Sequence, residues 1–211
     1  MSILSNSTTN FIVILGPTAT GKTKLAVQLA NRLDGEIISV DSRQVYRGMD
    51  IGTGKDLDEY EHSSKPIPYH LIDIADPMEE YNVAQFQKDF YRVSSDIKNR
   101  NKLPILCGGS GFYIKVVLMD FKLPTVRPDK MLRKELETWT LEDLIQELEN
   151  ISPGISAKTL IDTKRRVIRA IEVEMNCGSE EKAKHDIKNN FQDSFIIGVE
   201  FPRQLVRERI T

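Results

Sequence analysis

A glycine-rich segment near the start of the chain, residues 16–23 (GPTATGKT), joins an apolar run to an amphipathic segment. The run before it, residues 11–15 (FIVIL), has the β-branched and large apolar residues of a buried strand, and the segment after it repeats apolar residues at helical spacing. This is the GxxxxGK[ST] pattern in the strand, loop and helix context that the pattern requires. It therefore predicts a loop that binds a di- or triphosphate within an α/β fold.

Each residue type in this segment suits a phosphate. Gly16 and Gly21 let the backbone pass close to an anion, and a helix starting near Lys22 directs the positive end of its dipole toward it. Lys22 adds a full charge, and the Thr23 hydroxyl suits a Mg²⁺ ion that bridges two phosphates. The predicted phosphate site comprises Gly16, Pro17, Thr18, Ala19, Thr20, Gly21, Lys22 and Thr23.

Composition excludes several classes of protein. The chain has 211 residues, 40% of them hydrophobic, which is ordinary for a packed core. Its net charge of −2 gives no overall basic field, so contact with a nucleic acid requires a local cluster of cations. Its two cysteines are too few for a disulfide framework, and Cys107 is expected in the core. Because the sequence shows neither a signal peptide nor a long apolar stretch, we expect a cytoplasmic protein that does not bind membranes. We also expect a monomer.

Polar residues follow several predicted strands of a parallel sheet. Strands are predicted at residues 36–40, 69–74, 103–107 and 194–200, and helices at 83–100, with Asn82 as N-cap, and at 112–118. Asp41 follows the second strand, and the glycine turn 108–111 (GGSG) follows the fourth. Because residues past the carboxyl ends of parallel strands face the ligand crevice, we expect both near the phosphate loop. The alternative for Asp41 is an N-cap on the helical turn that follows it.

Two further segments carry cations. Residues 48–55 (GMDIGTGK) are predicted to form a glycine-rich loop whose final lysine, Lys55, is expected to reach a phosphate. A predicted helix at residues 155–175 clusters Lys164, Arg165, Arg166 and Arg169 on one side, with Leu160, Val167, Ile168 and Ile171 facing inward. Such a cluster is either a solvated helix face or a surface that contacts the backbone of a nucleic acid.

Changes in composition along the chain suggest three parts. Residues 1–121 read as a core domain, residues 122–176 as a charged helical insertion, and residues 177–211 as a return to the core. The last predicted helix starts after Pro202 and runs to the end of the sequence without a C-cap signal, which is typical of a cut chain. We therefore expect a fragment.

Five motifs together resemble one family. The segments GPTATGKT, DSRQVYRGMDIGTGK, PYHLIDIADP, LPILCGGSGFYIK and RRVIRAIEV occur in this order and span most of residues 11–175. They resemble the tRNA dimethylallyltransferases, and the DSRQVYRGMDIGTGK segment is the specific part of the match. The resemblance implies a P-loop NTPase-like three-layer α/β fold with a parallel sheet and a small helical insertion. Members of this family continue well past the position of Thr211.

The resemblance also implies a reaction and roles for individual residues. The reaction transfers a dimethylallyl group from dimethylallyl diphosphate to N6 of the adenine beside the anticodon of tRNA. The P-loop would hold the diphosphate and Mg²⁺, with Thr18 and Arg203 assisting, and Asp41 would accept the proton of the adenine amine. The positions that match tRNA contacts are Asp41, Ser42, Arg43, Gln44, Ser110, Arg165, Arg166 and Arg169.

Other functions remain compatible with the same motifs. An isopentenyl transferase acting on free AMP, ADP or ATP would share the P-loop and the aspartate, but the arginine cluster favours a polymeric acceptor. A small-molecule kinase would use the P-loop for ATP, although no lid is evident in the sequence. A regulatory or RNA-binding P-loop protein would have no need of the polar turn after the second strand.

Overall fold

The structure is a computed structural model that describes residues 11–61, 65–119, 121, 123–124, 126–157, 159–176 and 194–210. These residues divide into two compact units. The first unit contains the described residues up to Phe121 and those from Ser194 onward, and the second contains those from Leu123 to Asn176. No helix in this described part of the chain is both long enough and apolar enough to cross a bilayer.

A parallel sheet of five strands forms the centre of the first unit. The strands are β1 (Phe11–Leu15), β2 (Gly35–Ser39), β3 (Tyr69–His70), β4 (Leu103–Gly108) and β5 (Ser194–Gly198), in the spatial order β3-β2-β4-β1-β5. Leu15 at the end of β1 is in register with Gly108 at the end of β4. The predicted parallel sheet is confirmed, although β3 is shorter than the predicted strand 69–74.

Eight helices are described: α1 (Lys22–Leu33), α2 (Leu57–Glu61), α3 (Val83–Asn99), α4 (Gly111–Leu118), α5 (Lys130–Leu136), α6 (Leu141–Ile151), α7 (Lys164–Asn176) and α8 (Arg203–Ile210). Alternate side chains of β1 enter two apolar clusters, since Val13 packs with α3 and α4, whereas Ile12 and Ile14 pack with α1. Helices thus cover the two faces of the sheet, which confirms the predicted three-layer α/β fold. Cys107 is buried, as expected.

The predicted start of α3 is confirmed, whereas the predicted start of α7 is wrong. Asn82 caps α3 as predicted, because its side chain accepts from the backbone N–H groups of Ala84 and Gln85. The prediction of a helix from residue 155 is wrong, since α7 begins at Lys164. Between α6 and α7, the Glu149 carboxylate stabilises a turn by accepting hydrogen bonds from the backbone N–H groups of Gly154 and Ser156, at 2.8 and 3.0 Å. Leu160 lies outside α7 and is 68% exposed, not directed inward as predicted.

The second unit contains α5, α6 and α7 and has its own apolar core. Leu144 and Leu148 of α6 are fully buried against Val167 and Ile171 of α7. The chain's one tryptophan, Trp139, packs against this core. Its fluorescence therefore reports on the folding of the second unit.

A buried carboxylate ties this unit together. The side chain of Glu172 in α7 is fully buried and accepts hydrogen bonds from both Arg133 and Arg169 and from the backbone N–H of Asp129. Burial by itself would raise the pKa of Glu172, but the hydrogen bonds from Arg133 and Arg169 outweigh it and lower the pKa to about 2. Arg169 also donates to the carbonyl of Val126, at 2.9 Å. The unit's N-terminal segment and α5 are therefore fastened to α7 through charges.

Replacing Glu172 by glutamine is expected to destabilise the second unit by about 3–5 kcal/mol, because two guanidinium groups lose their buried partner. Because the folded pKa lies below the ordinary value of 4.5, wild-type stabilisation by Glu172 is present above pH 4.5 and is lost as the pH falls toward 2. The variant should lack this acid-dependent component. Denaturant unfolding followed by Trp139 fluorescence between pH 7 and 2 measures both effects.

Asp162→Asn is the matched control, since it breaks the exposed pair between Asp162 and Arg166 near the start of the same helix. An exposed pair contributes at most about 1 kcal/mol, so this variant should unfold close to the wild type. Equal stability of the Glu172→Gln and Asp162→Asn proteins at neutral pH would contradict the structural role of Glu172.

Candidate active site

The loop between β1 and α1 has the backbone of a tight anion cradle. Gly21 has φ 77° and caps α1, and Ala19 also lies in the left-handed region at φ 62°. A Cβ atom on Gly16 would lie 2.3 Å from the carbonyl oxygen of Val199, so only glycine lets the chain after β5 pass at this point. The hydroxyl of buried Thr20 donates to the carbonyl of Pro17 at 2.8 Å and closes the loop internally. The backbone is thus shaped before any ligand binds.

Lys22 and Thr23, the first residues of α1, supply an ammonium group and a hydroxyl group next to the loop. The Lys22 ammonium donates to the Pro17 carbonyl across the loop. Burial lowers the pKa of Lys22, and neighbouring groups that include the Asp41 and Asp56 carboxylates oppose this effect. The Thr23 hydroxyl lies 3.5 Å from Oδ2 of Asp56. The loop therefore presents a cation within the electrostatic range of two carboxylates.

Asp41 lies just past the carboxyl end of β2 and is half-buried. Its Oδ1 accepts from the backbone N–H groups of Arg43 and Gln44, at 2.8 and 3.4 Å. The residues after it form a turn, and Asp41 caps this turn as the alternative predicts, whereas its role in catalysis stays a prediction. Within the described residues, both of these hydrogen bonds use Oδ1, which leaves Oδ2 for a ligand.

The glycine turn after β4 lies against both of these segments. A Cβ atom on Gly108 would lie 2.1 Å from the Val40 carbonyl oxygen, and one on Gly109 would lie 3.3 Å from the Gly16 carbonyl oxygen. The Ser110 hydroxyl accepts from the backbone N–H of Ser42 at 3.3 Å. The structure therefore brings the P-loop, the Asp41 turn and Ser110 together at one edge of the sheet.

The side chain of Gln44 is engaged within the protein. Its Oε1 accepts from the Ser39 hydroxyl at 2.7 Å, and its Nε2 donates to the carbonyl of Gly54 at 2.6 Å. Gln44 thus fastens the glycine-rich loop 48–55 to β2. Arg43, beside it, is exposed.

Lys55 is only 3% exposed and does not face the phosphate loop as the sequence suggested. Its ammonium group donates to the carbonyl of Tyr46 at 2.9 Å, to Asp50 at 2.7 Å and to Asp73 at 2.5 Å. These three acceptors match the three N–H donors of a lysine. The expectation that Lys55 reaches a phosphate is therefore wrong, and this lysine fixes the loop.

The predicted arginines are distributed over two units. Arg203 is exposed at the start of α8, whereas Arg209, farther along the helix, lies 3.3 Å from the carbonyl oxygen of Ala19 in the P-loop. Sequence reasoning missed Arg209 and Asp56, because no local pattern marks their approach to the loop. Arg165 and Arg166 are exposed on α7 in the second unit, and Arg169 is held by Glu172. Their predicted contact with tRNA stays a prediction.

An apolar cavity of about 530 Å³ borders the P-loop. Its walls include Pro17 from the loop, Ile114 and Leu118 from α4, and Ile196 from β5, and Gly109 of the glycine turn also lines it. The site therefore combines charged groups for an anion with an apolar space next to them. This pairing suits a ligand with a charged head and a hydrocarbon tail.

Comparison with known proteins identifies the relatives of this chain. The IPP transferase family model matches residues 44–211. The chain is 50% identical over 200 residues to tRNA dimethylallyltransferase 1 of Parabacteroides distasonis, an alignment that covers 95% of this chain and 64% of the relative. The chain thus spans somewhat less than two thirds of that relative's length.

Solved structures agree with this relationship. The full-length tRNA isopentenylpyrophosphate transferase of Bacillus halodurans superposes with a TM-score of 0.61 at 40% identity, covering 96% of this chain and 63% of that one. A eukaryotic dimethylallyltransferase acting on tRNA superposes with a TM-score of 0.77 at 29% identity, covering 95% of this chain and 51% of that one. Because the family model matches most of the sequence, the chain belongs to the IPP transferase family.

Proposed function

We propose that the protein transfers a dimethylallyl group from dimethylallyl diphosphate to N6 of the adenine that lies 3′ to the anticodon in tRNA. The observation that carries this proposal is that the loop with Lys22 and the turn with Asp41 both contact the glycine turn 108–111, at one edge of the sheet. The ammonium of Lys22 suits a leaving diphosphate, and the carboxylate of Asp41 suits an incoming amine. The names of the relatives support the same reaction.

The P-loop binds the diphosphate in this proposal. An allylic diphosphate ionises readily because its cation is delocalised, so the protein must chiefly stabilise the charge of the leaving group and exclude water. The Lys22 ammonium and the N–H groups at the start of α1 provide this stabilisation. The apolar cavity beside Pro17 accommodates the five-carbon tail.

Thr23 contributes an oxygen for a divalent cation. Hydroxyl and carboxylate oxygens are the hard ligands that Mg²⁺ prefers, and the Thr23 hydroxyl at the start of α1 lies 3.5 Å from the carboxylate of Asp56. The donor chemistry therefore fits Mg²⁺. When bound, the cation neutralises part of the diphosphate charge.

Asp41 acts on the acceptor. The lone pair of the adenine amine is delocalised into the ring, so a base that takes its proton as the new bond forms assists the attack. Because Oδ1 of Asp41 is fixed by the turn, Oδ2 can accept this proton. The adenine must leave its stack to reach the site, at a cost of about a few kcal/mol that is least in a single-stranded loop such as the anticodon loop.

The test uses dimethylallyl diphosphate with a labelled prenyl group, incubated with the protein and either total tRNA or AMP. The expected result is label in tRNA, at the adenine beside the anticodon after nuclease digestion. Label in AMP alone would indicate an adenylate isopentenyl transferase. Transfer of phosphate from labelled ATP without prenyl transfer would indicate a kinase.

The exposed cations of α7 provide a separate prediction. Replacing Arg165 and Arg166 together by alanine should weaken tRNA binding and flatten its salt dependence by about one unit of slope for each phosphate group that these arginines neutralise. Binding of dimethylallyl diphosphate should be unaffected. Filter binding of tRNA at salt concentrations from about 50 to about 300 mM measures the slope. An unchanged slope would mean that these arginines form only a solvated helix face.

Arg169 needs a different experiment. Because its guanidinium pairs with Glu172, removing this side chain would affect the stability of the second unit and any contact with tRNA together. Arg169→Lys keeps the charge while losing the planar bidentate geometry. A loss of tRNA affinity in this variant, with unchanged Trp139 fluorescence, would support the predicted contact.

A further inference from the structure

Asp56 lies against the P-loop but belongs to no part of the loop motif. It follows the glycine-rich loop 48–55 and directly precedes α2. Its Oδ2 lies 3.5 Å from the hydroxyl of Thr23, although the two residues are 33 positions apart in the chain. The Asp56 charge also acts on Lys22 and opposes the effect of burial on the pKa of that lysine. Asp56 thus lies near both Lys22 and Thr23.

The position of Asp56 is fixed by its neighbours. On one side, buried Lys55 is anchored to Asp50 and Asp73, and Gln44 is bonded to the carbonyl of Gly54. On the other side, the Asp56 carbonyl accepts from the backbone N–H of Glu59 at 3.0 Å. Asp56 itself has φ 46°, a left-handed conformation that aspartate and asparagine tolerate better than most residues. The carboxylate is therefore presented to the loop by a rigid backbone.

A carboxylate in this place conflicts with the binding of a bare diphosphate. Two sets of negative charges would lie within a few ångströms of each other, which weakens binding. A divalent cation between them reverses the sign of this interaction. Adjacent oxygen ligands of Mg²⁺, each about 2.1 Å from the ion, lie about 3 Å apart. The 3.5 Å separation of the Thr23 and Asp56 oxygens is close to this requirement.

We propose that Asp56 supplies the protein carboxylate that, with the Thr23 hydroxyl, holds Mg²⁺ against the diphosphate. Asp56 makes diphosphate binding dependent on Mg²⁺, since the same side chain repels the free anion and attracts its magnesium complex. The inference rests on the diphosphate site of the proposed function and extends it to a residue outside the loop.

The test measures the binding of inorganic pyrophosphate by isothermal titration calorimetry, in EDTA and over a series of Mg²⁺ concentrations. In EDTA, Asp56→Asn should bind pyrophosphate at least as tightly as the wild type, because a repulsive charge has been removed. With Mg²⁺, the variant should require at least about 10-fold more cation to reach half-maximal enhancement of binding, since losing even an outer-shell partner of a metal site costs about 10- to 100-fold in affinity. The opposite signs of the two effects distinguish a metal ligand from a general loss of the site.

Two further variants make the result decisive. Asp56→Gly also suits the left-handed backbone, removes the side chain, and should show the same altered Mg²⁺ dependence. Glu59→Gln removes the charge of an exposed side chain of α2, three residues away, and should behave as the wild type. An unchanged Mg²⁺ dependence in Asp56→Asn and Asp56→Gly would overturn the inference. Failure of the wild-type protein to bind pyrophosphate under any condition would instead overturn the proposed function.

Discussion

Replacing Lys22 by alanine is expected to lower the rate of prenyl transfer about 30- to 1,000-fold at saturating substrate, equivalent to about 2–4 kcal/mol of transition-state stabilisation. The reason is that negative charge develops on the leaving pyrophosphate as the allylic bond breaks. Lys22 lies in the P-loop and is partly buried. Water that enters its place in the variant would therefore stabilise the pyrophosphate charge poorly. Single-turnover measurement with labelled dimethylallyl diphosphate and tRNA determines the rate.

Lys24→Ala is the matched control for this variant. Lys24 lies two residues farther along α1 and is exposed, so its removal changes the net charge equally without altering the loop. It should retain nearly the full rate. A Lys22→Ala protein that keeps more than half the wild-type rate would contradict the assignment of the loop to the diphosphate.

Asp41→Asn is expected to reduce turnover on the order of 100-fold or more while leaving the melting temperature nearly unchanged. Asparagine keeps an oxygen that can accept from the N–H groups of Arg43 and Gln44, so the turn after β2 should be retained. Its amide cannot take the proton of the adenine amine. Turnover and thermal unfolding are measured on the same preparation.

Asp41→Ala completes the experiment, because it removes both the proton acceptor and the cap of the turn. It should lose as much activity as Asp41→Asn and, in addition, about 1 kcal/mol of stability. If Asp41→Asn turns over normally, Asp41 has no part in the chemistry and only stabilises the turn.

Much of the fold follows from short-range patterns. The apolar run 11–15, the motif after it and the helical spacing of α1 predict one continuous unit, and the structure confirms each element. Asn82 and Gln85 form the capping box of α3. These features depend on residues within one or two turns of each other, which is the range over which a pattern in the sequence acts directly on local structure.

The start of α7 shows where such patterns fail. Leu160 continues the helical spacing of Val167 and Ile171 backward from α7, but the carboxylate of Glu149 accepts hydrogen bonds from the backbone N–H groups of Gly154 and Ser156. Hydrogen bonds from a side chain to the backbone compete with those of a helix. The partner that decides this competition belongs to another helix, α6.

The sequence by itself determined the α/β class, the glycine-rich loop between β1 and α1, and the location of Asp41 past the end of a strand, because these depend on local spacing and on the general geometry of parallel sheets. The tertiary structure decided which distant residues meet. Asp56 approaches Thr23 across 33 positions, and Arg209 approaches Ala19 across 190. It also decided that Lys55 is buried among acidic partners and that Arg169 pairs with Glu172. Whether a charged side chain binds a ligand or stabilises the fold depends on the partners that chain folding brings to it, and those partners leave no mark at a fixed spacing in the sequence.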